Sequence, residues 1–132
     1  MAVATIAGFV ELAKHATGTG SPVAWTYIAL GVGNSQGAGD TTLDSETDAA
    51  DGLQRVAVTP TVVTTTETND TAQWYKVFTS TATKTITEVG IFNHASAGSG
   101  DMLLVGDLSP AAAMVSTDTL TLTIKCQFKA AS

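Results

Sequence analysis

The sequence predicts an all-β domain, mainly antiparallel and either a sandwich or a barrel, with one short N-terminal helix. Three observations carry this. First, the segment Thr117-Asp-Thr-Leu-Thr-Leu-Thr-Ile-Lys-Cys-Gln-Phe-Lys129 alternates without a break. Leu120, Leu122, Ile124, Cys126 and Phe128 fall on one side, and Thr119, Thr121, Thr123, Lys125 and Gln127 on the other, the period-two signature of a strand with one dry face. Burial of those five apolar residues together is the expectation. Second, six such segments follow one another at hairpin-scale spacing, which indicates antiparallel pairing. Third, charged residues make up only 14% of the chain, against ~25% in ordinary soluble domains. Threonine fills the gap, and a β-branched hydroxyl suits a strand face that meets both protein and water.

The elements read in order as follows. Residues 5–16 form an amphipathic helix, with Ile6, Phe9, Val10 and Ala13 at helical spacing and Thr5 as its cap. Gly8 weakens that helix, and Gly18-Thr-Gly-Ser-Pro22 ends it. Ala24–Leu30 is a strand, and Gly31–Asp51 is a long loop. Leu53–Thr66 is a strand that Pro60 interrupts or places at an edge. Glu67–Asp70 is a turn, and Thr71–Thr81 returns from it. Ile86–Phe92 is a strand with a bulge expected at Gly90. A loop at 94–100 leads to a short strand Met102–Val105. A connection at 108–116 then leads to the final strand, Thr119–Phe128. The 132 residues thus divide into an N-terminal helix or arm, 1–20, and a single β domain, 21–132.

Composition excludes several function classes. Net charge is −6 and the six basic residues are scattered, which argues against direct nucleic-acid binding. No apolar run approaches the ~20 residues of a membrane span. The N-terminus has no basic region and meets Glu11 early, so it is not read as a signal peptide, and assembly in a cytoplasm is expected. The single cysteine, Cys126, lies on the apolar face of its strand and reads as a small core residue.

Nor does any motif spell out catalysis. Asp40, Asp44, Glu46, Asp48 and Asp51 crowd one loop, as a Ca²⁺ site would. However, Ala49 stands where an EF-hand loop needs Gly and Arg55 where it needs Glu, so a solvated acidic loop or a short helix N-terminus, where acids favour the dipole, is the preferred reading. Gly31-Val-Gly33 opens like a dinucleotide loop, but Gln36 replaces the third glycine. His15 and His94 stand without supporting acid–base partners. No catalytic, cofactor or metal residue is therefore assigned. The aromatics Trp25, Tyr27, Trp74, Tyr75, Phe78 and Phe92 read mostly as core. Trp74 and Tyr75 are adjacent, so a regular strand points them to opposite faces. Ile6, Phe9, Trp74 and Tyr75 are the candidate interface residues.

Several segments together resemble a family of small virion structural proteins of tailed bacteriophages. They are Ala29-Leu-Gly-Val-Gly33, Asp40-Thr-Thr-Leu43, Thr68-Asn-Asp-Thr-Ala-Gln-Trp74, Ile86-Thr-Glu-Val-Gly-Ile-Phe-Asn93, Met102-Leu-Leu104 and Thr117-Asp-Thr-Leu-Thr-Leu-Thr-Ile124. The resemblance covers roughly residues 24–128, and departs from the family where Ser116-Thr117 replaces a common Gly before the Asp. It implies a non-enzymatic virion protein, foremost a capsid decoration (cement) protein on the major capsid lattice. A tail, baseplate or fibre-associated component, or a carbohydrate- or receptor-binding β module, stands as the alternative. It also implies contact with other virion proteins and a homo-oligomer, preferably a trimer.

Overall fold

The computed structural model describes residues 2–34 and 37–130. Strand β1 (Ala2–Ala4) leads into helix α1 (Ile6–Thr17), followed by β2 (Tyr27–Gly31) and a single 3₁₀ turn at Ala49–Asp51. Then come β3 (Val56–Ala57), β4 (Thr61–Val63), β5 (Thr71–Thr79), β6 (Lys84–Phe92), β7 (Met102–Met114) and β8 (Thr119–Gln127). All pairings are antiparallel, in a five-stranded sheet of order β1-β7-β6-β2-β3 and a three-stranded sheet of order β4-β5-β8. The main core lies where Ile28, Leu30, Ile86, Ile91 and Leu104 of the larger sheet meet Trp74, Phe78 and Leu122 of the smaller. The opposite face of the larger sheet carries a second cluster of Ala29, Phe92, Met102 and Val105, covered by Leu43 from the long loop.

Several departures from the sequence pattern have simple causes. Pro60 does both things expected of it: β3 and β4 are edge strands of different sheets, and the chain crosses between them at the proline. Residues 108–116 are not a plain connection but lie largely within β7. Opposite β6 the register jumps from Ile86↔Ala112 to Glu88↔Asp107, so Leu108–Ala111 bulge out of a long strand. Gly90 is not itself a bulge. It pairs with both Ala29 and Val105, and a Cβ there would come within 2.8 Å of the Phe92 ring. Ala2–Ala4, which the sequence pattern assigns to no element, adds an edge strand to β7 and ties the N-terminal segment into the larger sheet.

The alternation of β8 is real, with Leu122 buried and Leu120, Ile124 and Cys126 half-buried against the core. Phe128 departs from it and is 54% exposed. Pairing with β5 stops at Gln127↔Thr71, so Phe128 runs past the end of the smaller sheet.

Helix α1 is seated differently from the usual amphipathic helix. Thr5 is fully buried; its hydroxyl accepts from the Gly8 amide and donates to the Met102 carbonyl. Gly8 then rests directly on β7, where an added Cβ would lie 2.7 Å from the Leu103 carbonyl oxygen. Gly18, at φ +66°, closes the helix in the left-handed conformation. On helix propensity alone Gly8→Ala would stabilise by about 1 kcal/mol. Here the backbone contact prevails, and we expect a loss of about 1–3 kcal/mol in chemical denaturation. The turn from β7 to β8 yields the opposite expectation. Thr117 stands at φ +78°, a conformation that costs a β-branched residue on the order of 1 kcal/mol. Thr117→Gly should raise the denaturation midpoint, although glycine's looser unfolded chain offsets part of the gain.

Candidate functional surface

The acids of the long loop do not gather around one point. Asp40 accepts from the Gly37 amide, Asp48 caps the 3₁₀ turn through the Ala50 amide, and Asp51 pairs with Lys84 at 3.3 Å. Glu46 forms a two-pronged ion pair with Arg55, at 2.8 Å to Nε and 2.9 Å to Nη2. Arg55 in turn donates to the carbonyls of His94 and Ser99 and lies 3.7 Å over the Phe92 ring. One buried guanidinium therefore ties the long loop, the 94–99 loop and the second apolar cluster together. Among the described residues, no three His, Cys, Asp or Glu side chains converge as a metal site would require. A cleft of about 360 Å³ opens beside this network, lined by Asp48, Gln54, Ala95 and Ala97 among others, and no aromatic side chain lines it.

Glu88, within the Ile86–Asn93 strand motif, is the most unusual acid of the protein. It is fully buried on β6, and among the described residues neither carboxyl oxygen has a hydrogen-bond partner. Gly31, opposite it on β2, has no side chain to spare: a Cβ would sit 2.4 Å from the Glu88 Oε1 atom. Gly33 is likewise pressed against Asp44, where a Cβ would come within 2.1 Å of the Asp44 Cβ. The glycines that look like a failed nucleotide loop are thus packing glycines around a buried acid. No motif marks such burial; the only sequence signal is the Gly-x-Gly spacing itself.

The candidate interface residues separate. Trp74 is 3% exposed and donates its indole N–H to the Trp25 carbonyl at 2.7 Å, so the structure corrects it to a core residue. The following residue, Tyr75, points to the opposite face and is 55% exposed, beside Val77 on the outer side of the smaller sheet. Ile6 and Phe9 are exposed by 62% and 60%. The apolar stripe of α1 therefore faces away from the fold, while Gly8 and Glu11 face into it. Between α1, β7 and the end of β8 runs an apolar groove of about 240 Å³ lined by Phe9, Leu12, Leu103, Cys126 and Phe128. Sequence reasoning placed Phe128 in the core and so missed it as part of this surface. Burial raises the Cys126 thiol above its ordinary pKa, consistent with a packing role.

Arg55→Ala should be severe. It leaves Glu46, whose side chain is 8% exposed, without its counter-charge, and removes the donor to two loop carbonyls. We expect about 3–5 kcal/mol of lost stability in urea denaturation, with the apolar, similarly sized Arg55→Met together with Glu46→Leu costing much less.

No curated protein and no solved structure matches the chain. A family model does, over residues 10–126, and its description is Podophage GP4 fiber I protein gp80. That match takes in both sheets from β2 to β8, most of α1 and every motif on which the phage resemblance rests. The chain belongs to the family of the podophage GP4 fiber I protein gp80, and is a structural component of the phage virion.

Proposed function

We propose that this protein is a non-catalytic structural subunit of a tail-fibre assembly, working as a homo-oligomer, preferably a trimer, that also contacts neighbouring virion proteins. The observation that carries the reading is the outward apolar face of α1. A helix that docks through a glycine and keeps Ile6, Phe9 and Val10 in water leaves those side chains for another surface. Each is worth about 1.5–3 kcal/mol on full burial, so one helix face gives a weak contact that repetition in a fibre multiplies. The description of the family as a fiber protein favours the fibre over the capsid decoration role that the resemblance put first. A glycan-binding role draws less support, because the cleft beside the acidic loop lacks the aromatic platform expected of it.

The test is a pair of surface variants, Ile6→Ser and Phe9→Ser, made together. Both sites are exposed, so the melting temperature should stay close to that of the parent. Sedimentation should show the parent as an oligomer and the variant as a monomer, and the variant should fail to enter assembled fibres. A parent chain that stays monomeric at all concentrations, or a variant that assembles normally, would overturn the interface. Finding the chain on purified tailless heads would restore the decoration role.

A further inference from the structure

Glu88 poses a problem the fibre role does not address. Its carboxyl is fully buried with no hydrogen-bond partner among the described residues, and burying a charge in that way is far costlier than burying a neutral acid. The charged groups that act on it are Asp44, on the long loop, and Asp107, paired with it on β7; both are acidic. Opposite it on β2 stands Gly31, and beside it on β6 the Thr87 hydroxyl is spent on the Gly33 carbonyl. The amides of Gly33 and Asp44 favour its charged form without closing a hydrogen bond. Burial first, and Asp44 next, push its pKa up to about 7.

The side chain is anchored on β6, the central strand of the larger sheet, so relief must come from what lies over it. That cover is the end of the long loop. Its residues run back along β2, with Val32 N–H donating to the Ser45 carbonyl at 3.2 Å, a Gly31↔Glu46 bridge, and Thr47 N–H donating to the Leu30 carbonyl at 2.9 Å. Glu46 is fastened by Arg55 and Thr47 is bonded at both Leu30 and Leu53. The part free to lift is therefore Leu43–Ser45, which carries both Asp44 and the cap of the second apolar cluster.

We propose that Glu88 is a proton-operated latch: as a neutral acid it lets Leu43–Ser45 lie on the sheet, and on ionisation it drives that segment off, uncovering the apolar cluster around Phe92 and Met102. The sign follows from linkage. The closed form holds the proton more tightly than the open form, whose carboxyl has the ordinary pKa near 4.5. Closure is thus fully favoured below about pH 4.5 and loses its advantage as pH rises to about 7. Above that both forms are ionised and the effect levels off.

Amide hydrogen exchange of the isolated full-length chain, corrected for intrinsic rates, reads the latch at Val32. Its protection should fall between about pH 4.5 and 7, by up to tenfold per unit, then level off. Thr47, beyond the Glu46–Arg55 fastening, should change far less. In Glu88→Gln the Val32 profile should be flat across the same range, and in Asp44→Asn the fall should be smaller and the plateau should come at lower pH. If Glu88→Gln does not fold, the NMR titration of the Glu88 carboxyl carbon in the parent decides: a midpoint near 7 supports the latch. A midpoint near 4.5, or matching Val32 profiles in the parent and Glu88→Gln, would overturn it. Because these readouts need no assembly, they stand or fall independently of the fibre role.

Discussion

The larger sheet has to be covered on both faces, and the chain supplies a second sheet for only one of them. Most of the irregular structure follows from that constraint. The strands of β2 and β6 are buried almost throughout, so their outer side cannot be left to water. The long loop and the 94–99 loop take the place of a layer, and loops bring polar backbone that must be paired. Arg55 answers that need by donating to two loop carbonyls while neutralising Glu46 and lying on Phe92. The glycines at 31, 33 and 90 answer the steric side, letting the loop and the Phe92 ring come close enough to exclude solvent.

Much of this architecture was legible in the sequence. The helix was read within one residue of its ends, and the long strands β5, β6 and β8 were visible from period-two alternation and aromatic content. What stayed hidden was non-local. Whether β5 continues into β6 in one sheet or crosses to another depends on core geometry, and the short link Ser80–Thr83 reads as a hairpin turn either way. Phe128 obeys the alternation of β8 yet lies beyond its partner strand, a fact set by where β5 begins. The pairing of Trp74 and Tyr75 to opposite faces was legible; which of the two faced inward was not, because both aromatics suit a core.

The candidate surface was readable in part. Ile6 and Phe9 were picked out by spacing, but the same spacing ordinarily marks the buried side of a helix. Their outward orientation is decided by Gly8, which makes the opposite side of α1 the one that can approach a backbone closely. In the acidic loop, charge density raised a shared ligand beside the preferred reading of a solvated loop, whereas Asp40, Glu46, Asp48 and Asp51 each have their own local task. Composition records how many carboxylates are present, and the partners that disperse them come from distant parts of the chain.

The mode of attachment of α1 separates two requirements that most helices must meet with the same residues. Its hold on the domain includes a capping hydroxyl, a glycine–backbone contact, backbone bonds at Thr5 and Ile6, and Leu12 packed on the core, none of which involves the side chains at 6, 9 and 10. Those positions can therefore drift to suit a different neighbour at little cost to folding. A change of neighbour at that face would call for only a few surface substitutions, with the β domain behind it left constant.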